Sequence, residues 1–409
     1  MRIAQTHLRD PDVFAHLSNF TQGMTWPGLI FIVAQIAVGI TATLYPMLAV
    51  IFARKWRGEA LATATPDDRL PPLTLLRPIK SGVPALAEKL SDLAKAMRAG
   101  DRLVLGVDDA SPEAAIGETI RAEFAERDIV LVRCRADAAL NPKISKLVQM
   151  ESAATGEYLV LSDSEAMIDA AWLDAFRREW VASGADVMTC GYRFARAASL
   201  PQALDAEPTL CSLWPGLFFV NRFSQLTFTL GACTALRRSD LARVGGWAAF
   251  SEELAEDNRL GSALVKAGCT IRLSQQVATL DSDPMTWRAY WQHQRRVAVT
   301  YRVCDPAGFA GMIFTHSAWI GLSLILFSSA VRESFGPLFV GWIFATWLQM
   351  AFGNGLAKTL GISRSPIPFA GLFSDLVETL CWLLAWLSPR VWWAGKWWRV
   401  SRDGKLREA

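Results

Sequence analysis

Two carboxylates close an apolar run: Tyr158, Leu159, Val160 and Leu161 lead into Ser162-Asp163-Ser164-Glu165. A strand that ends in two acids is either a solvated turn or a place for a hard cation. An apolar strand end alone cannot hold the two negative charges of a diphosphate. A Mg²⁺ or Mn²⁺ ion can, because carboxylate oxygens on one side are balanced by phosphate oxygens on the other. The same ion stabilises charge developing on a departing diphosphate. Asp163 and Glu165 are therefore the candidate metal ligands.

Four other groupings carry chemistry. In "GVDDAS" (106–111), Asp108 and Asp109 follow a second apolar run. They could accept from a base imide and ribose hydroxyls, or cap a helix opening at Pro112. In "NPKISKL" (141–147), Lys143 and Lys146 fall in the first turns of a helix, where the dipole disfavours cations unless an anion is near; plain surface lysines are the alternative. "FSEELAEDNRLG" (250–261) gathers Glu252, Glu253, Glu256 and Asp257. Crowded like charges raise carboxyl pKa values, which suits a general base; a solvated acidic helix start would look the same. In "YWQHQRRVAVTYR" (290–302), Arg295, Arg296 and Arg302 alternate with aromatics and could clamp phosphates or lie on anionic lipid. There is no G-x-S-x-G elbow, Walker loop or Rossmann glycine turn. The seven cysteines include no C-x-x-C pair, which argues against a zinc site or a disulfide framework.

These groups need elements to place them. "LTLLRPIK", "RLVLGVDD", "IVLVRC" and "EYLVLSDS" read as strands, alternating with helical patterns at 85–100, 112–128 and 141–156. That alternation predicts an α/β domain with a largely parallel sheet, whose ligands bind beyond the strands' carboxyl ends. Asp108, Asp109, Asp163 and Glu165 all fall there.

Composition bounds the setting. Among 409 residues, 42 basic and 39 acidic side chains give a net charge of +3, which excludes the basic footprint of a nucleic-acid binder. Apolar residues make up 52%, with 17 Trp, high for a chain that meets only water. Thr25–Ala53 carries no charge and exceeds the roughly 20 residues a spanning helix needs. "RKWR" follows it, so the positive-inside rule puts residues 57–305 in the cytoplasm. Apolar runs return at 307–330, 335–356 and 367–387. The expected domains are thus an N-terminal membrane helix (1–56), a cytoplasmic domain (57–305) and a C-terminal membrane bundle (306–409). The expected location is a bacterial-type inner membrane, multi-pass, with the active site on the cytoplasmic face. Asp375 and Glu378 in the last run are costly in lipid, and the tail beyond is basic. A re-entrant or interface-lying hairpin reconciles these signals, with Trp392, Trp393, Trp397 and Trp398 as an aromatic belt. "LWPGLFFVNRF" (213–223) is read as an interface-dipping segment, or else as a core helix.

The order of the parts is more telling than any one of them. Strand-Asp-Asp, N-P-K, D-S-E, "GACTALRRSDLARVGGW" (231–247), "AEDN" and an arginine segment resemble the ceramide glucosyltransferase family over nearly the whole chain. That resemblance implies membrane-bound inverting nucleotide-sugar transferases with a GT-A-type, Rossmann-like domain, using a UDP-sugar, a divalent metal and a lipid hydroxyl. It implies that Asp108 and Asp109 contact uridine, Lys143 lies near the diphosphate, Asp163 is the metal-side carboxylate and Asp257 the general base. "HQRRV" (293–297) would be the arginine motif, reading either His293 with Arg296 or Gln292 with Arg295. Val297 stands where the family pattern has Trp. Hopanoid glycosyltransferases share these motifs, so ceramide and hopanoid both remain as acceptors. A processive polysaccharide synthase, a non-enzymatic membrane scaffold and a transporter are the competing classes.

Overall fold

Seven strands of 5 to 10 residues and one of 2 pair into an eight-stranded sheet. The computed structural model describes residues 26–59, 70–109, 111–135, 137–195, 197–316, 321, 323, 336–362, 367 and 369–409. Helix α1 (Trp26–Gly58) leads into β1 (Leu73–Pro78), α2 (Leu86–Ala96), β2 (Arg102–Asp108), α3 (Glu113–Glu123), β3 (Asp128–Cys134) and α4 (Pro142–Met150). Then come β4 (Tyr158–Ser162), β5 (Ala166–Met167), α5 (Ala170–Ser183), β6 (Val187–Phe194), α6 (Leu200–Pro208), α7 (Trp214–Phe223), β7 (Cys233–Arg237), α8 (Arg238–Arg243), α9 (Glu256–Lys266) and β8 (Ile271–Leu280). The chain closes with α10 (Trp287–Cys304), α11 (Pro306–Gly311), α12 (Gly336–Leu360), α13 (Ala370–Leu387) and a three-stranded sheet of β9 (Arg390–Trp393), β10 (Lys396–Val400) and β11 (Leu406–Glu408).

The strand order is β3-β2-β1-β4-β7-β6-β8-β5. β1 runs parallel to β2 and β4, and β2 to β3. These strands are apolar nearly throughout because helices cover both faces. Their parallel direction brings the ends of β1, β2 and β4 to one rim, with Lys80, Asp108 and Asp163 following. The second half is mixed: β7 is antiparallel to both β4 and β6, while β6 is parallel to β8. The parallel expectation therefore holds for the first half and fails at β7, which runs antiparallel to both of its neighbours.

One core lies between the sheet and the apolar helices α1 and α12, joining Leu76, Val104, Leu161 and Leu236 to Ala53, Trp56 and Leu360. The other face packs Leu75, Leu105 and Val160 against Leu90, Phe176 and Trp180. Among the described residues two helices are long and apolar enough to cross a membrane, Gly28–Gly58 and Ala370–Leu387. α1 exposes Ile30, Val33, Ile36 and Ile40, the surface a lipid environment takes up.

Three expectations change. The last apolar run is one uninterrupted helix, α13, and not a hairpin; its Asp375 accepts from buried His316 Nδ1 (2.5 Å) and Glu378 from Ser212 (2.6 Å). The tryptophan-rich tail is a small antiparallel sheet. It folds as β9–β11 with Trp398 only 1% exposed, although Trp397 faces outward. The 213–223 segment is helix α7, whose Trp214 and Phe218 are buried against Trp56 while Phe223 is exposed. Half of the 307–330 run (317–320, 322 and 324–330) and residues 60–69 lie outside the described residues.

Candidate active site

A cavity of about 610 Å³ opens along the sheet rim, lined by Lys80, Lys143, Asp163, Glu165, Tyr192, Asp205, Gly231, Glu256, Asp257, His293, Arg296 and Trp393, among others. Each side chain is placed by identifiable local chemistry. Arg77, fully buried in β1, donates to Ser162 Oγ (2.9 Å), to Ser164 O (3.2 Å) and to Ala166 O. It thereby fixes the turn that carries Asp163 and Glu165. Burial pushes the Arg77 guanidinium down to about 10, partly offset by Asp163.

α4 starts at Asn141, whose side-chain oxygen accepts from Lys143 N (2.9 Å) and Ile144 N (3.3 Å). This cap satisfies two orphan amides and directs Lys143 inward. Its ammonium lies 2.8 Å from Asp163 Oδ1 and 3.2 Å from Glu256 Oε1. Burial disfavours this charge, but Asp163 and Glu256 outweigh burial and hold Lys143 above its ordinary value. Asn141 Nδ2 also donates to Glu256 Oε2 (3.1 Å), joining the start of α4 to that of α9.

Asp257 sits in the first turn of α9, which presses on the 228–229 backbone. A Cβ on Gly261 would come within 2.4 Å of Phe228 Cα, so only glycine permits that approach. Thr229 Oγ1 donates to the Asp257 carbonyl (2.8 Å). Burial, then Glu256, raise the Asp257 carboxyl to about 7, with Lys143 opposing. Gly231 is the hub of the cluster. A Cβ there would meet Asp257 Oδ2 at 3.2 Å, Asp163 Oδ2 at 3.6 Å and Lys143 Nζ at 3.6 Å. The missing side chain leaves a cradle between two carboxylates and an ammonium.

The helix α10 supplies the far wall. His293 and Arg296, three residues apart, share its cavity face, consistent with the helical period. His293 Nδ1 donates to Asp205 Oδ1 (2.7 Å), which also accepts from Gln294 Nε2 (2.8 Å). Arg295 points the other way, towards Cys381 O (3.4 Å) and Ser388 O (3.3 Å) at α13, and does not line the cavity. Of the two readings of the arginine motif, His293 and Arg296 line the cavity and Arg295 does not, against the expectation that Arg295 lies with them. The aromatic ring over Arg296 is Trp393 of β9, at 5.8 Å.

Other expected residues lie as follows. Asp108 pairs with Lys146 (2.8 Å) at the end of β2, and Asp109 is largely exposed beside Arg133 (3.7 Å); neither lines the cavity. Glu165 reaches the rim and pairs with Lys80 (2.9 Å). The acidic cluster is split: Glu252 pairs with Lys405 and Arg407, and Glu253 with Arg259, so Glu256 alone flanks Asp257. Among the described residues no three His, Cys, Asp or Glu side chains gather closely enough to hold a metal by themselves. Arg77, Asp205, Gly231 and Trp393 were not foreseen. For Arg77 a signal was present, a charge in the middle of an apolar strand.

Residues 33–406 match Glycosyl transferase family 21. The chain belongs to that family. This family 21 glycosyltransferase is 22% identical over 364 residues to Ceramide glucosyltransferase 1 of Caenorhabditis elegans, covering 84% of the chain and 74% of that relative. Its mixed eight-stranded sheet with flanking helices is of the α/β class that the sequence predicts. A mannosyltransferase from Pyrobaculum calidifontis, solved in complex with GDP-Man and Mn²⁺, aligns with a TM-score of 0.46 at 17% identity, over 85% of this chain and 97% of that one. S. aureus TarS 1–349 in complex with UDP-GlcNAc aligns with a TM-score of 0.38 at 13% identity, over 83% and 99%.

Proposed function

We propose that this glycosyltransferase moves a hexose from a UDP-sugar to the primary hydroxyl of a membrane lipid, ceramide first and a hopanoid second, with inversion at the anomeric carbon. One observation carries this reading: a half-buried carboxylate raised to about 7, Asp257, shares a cradle with Asp163 and Lys143 beneath Gly231. The lipid acceptor is inferred from the likeness to the ceramide enzyme and from apolar helices that adjoin the same domain.

The donor set suits a Mg²⁺ or Mn²⁺ ion only in company with a diphosphate. Asp163 gives one half-buried carboxylate and Glu165 a second at the rim, so most of the oxygen ligands would come from phosphate and water. When bound, such an ion offsets the charge on the leaving UDP. Asp108 and Asp109 would lie on the uridine side, beyond β2. Lys143, relieved of its carboxylate partners by a diphosphate, and Arg296 would bind phosphate oxygens. His293, held by Asp205, would face the acceptor. Asp257 Oδ would take the acceptor proton as the hydroxyl oxygen bonds to the anomeric carbon and the bond to the diphosphate breaks.

With Asp257 as base, kcat/KM depends on its ionised form in the free enzyme. The carboxyl is raised, so log(kcat/KM) should fall with unit slope below about pH 7. An acid limb near pH 4 would refute the assignment. The acceptor class is tested by UDP release from UDP-glucose with ceramide, a hopanoid or no lipid. Release should need lipid, and ceramide should stimulate most; equal release without lipid would remove the lipid reading.

The tail returns to the catalytic domain, since Leu406 N donates to Glu252 O (2.7 Å) and Leu254 N to Gly404 O (3.1 Å). We infer that both lie on the cytoplasmic side. A cysteine introduced at Ala409 should resist an impermeant reagent in intact cells and react after permeabilisation. Labelling in intact cells would reverse the orientation.

A further inference from the structure

Arg296 is held in an unusual way. Among the described residues its guanidinium makes no hydrogen bond and no ion pair, and its one close partner is the face of Trp393 at 5.8 Å. Both side chains line the cavity that contains Asp163 and Lys143. Burial lowers the guanidinium, and Glu256 and Asp205 pull it back up. An arginine with its donors unspent, its guanidinium over a ring in a cavity that also holds a lysine, is poised for an anion.

The ring itself is anchored. Trp393 O accepts from Trp398 Nε1 (3.1 Å), and Trp398 is buried with Leu254, Val299, Val303 and Leu406. The same small sheet is tied to the loop before Asp257 by the two backbone bonds from Leu406 and Leu254, by Lys405 to Glu252 (3.3 Å) and by Arg259 Nη2 donating to Asp403 O (2.6 Å). A segment more than 130 residues beyond Asp257 thus forms a wall of its site.

We propose that the C-terminal sheet is a working part of the active site and that Trp393 is a positioning residue, holding the Arg296 guanidinium over its ring so that it meets the diphosphate of the donor. This rests on the UDP-sugar reading above, and the test separates the two. A cation–π contact of this kind contributes ~0.5–2 kcal/mol, which converts to a roughly 2- to 30-fold loss.

The experiment is a double-mutant cycle on the full-length protein, reading UDP affinity by calorimetry and turnover beside it. Trp393→Ala should weaken UDP by roughly that factor, and Trp393→Phe, which keeps a ring, should restore most of it. In an Arg296→Ala background, Trp393→Ala should cost nothing further. Absence of UDP binding in the unaltered protein would sink the function reading itself. Normal UDP binding with an unchanged Trp393→Ala variant, an additive double variant or no recovery in Trp393→Phe would each overturn the positioning role.

Discussion

Asp257→Asn should abolish most turnover while leaving UDP binding in place. General-base catalysis contributes ~10²–10⁴-fold, so kcat should fall at least ~10²-fold, because Asn cannot accept the acceptor proton. The nucleotide is gripped elsewhere, at Asp163, Lys143 and Arg296, so its affinity should change little. The substitution should also leave the fold at least as stable at pH 8. The folded-state carboxyl is raised to about 7, so the stability it contributes is present below its ordinary acid value and is lost as pH rises through 7. Removing the charge removes that loss. Thermal melting at pH 5 and pH 8 checks the sign: the gap between wild type and variant should widen in favour of the variant at the higher pH. Near-normal turnover would move the base elsewhere, with Glu256 the next candidate.

Asp163→Asn should behave differently, losing turnover and UDP affinity together. Its carboxylate is the partner of Lys143 at 2.8 Å and the strongest candidate for a divalent ion. Converting it to an amide weakens the ion's grip and leaves Lys143 shared with Glu256 alone. UDP titrations with and without EDTA should therefore differ strongly in wild type and little in the variant. Full UDP affinity and activity in excess EDTA would end the metal assignment. If Asp257→Asn lost UDP affinity as far as Asp163→Asn does, the two acids would form a single metal site.

The residues that announce themselves in sequence are those whose chemistry is odd for their local element. Asp163 ends an apolar strand, Lys143 sits at the wrong end of a helix dipole, and Asp257 opens an amphipathic helix; all three line one cavity. The first half of the sheet was legible because each strand is a continuous apolar run separated by a helical period. β7 was not, since five residues returning antiparallel carry no signal of direction. Asp205 and Trp393 were hidden because their roles come from chain segments that meet only in three dimensions. The tail misled because tryptophan next to basic residues is also what a membrane interface selects. A local cue existed: "RVWWAGKWWRV" has two strand-like stretches around Ala394-Gly395, both at positive φ, the signature of a tight hairpin. Arg295 and Arg296 show the remaining limit. Neighbours on a helix point about 100° apart, and only packing against α13 decides which one faces the cavity.

The proposed reaction is a single displacement of UDP at the anomeric carbon by a lipid hydroxyl, with Asp257 taking the hydroxyl proton. Its most direct test is the anomeric configuration of the lipid product formed by the purified full-length protein from α-linked UDP-glucose and ceramide, read by nuclear magnetic resonance after mass spectrometry confirms one added hexose. The account predicts a β-glycoside from wild type and none from Asp257→Asn. An α-glycoside, or sugar released to water or polymer with the lipid unchanged, would contradict it.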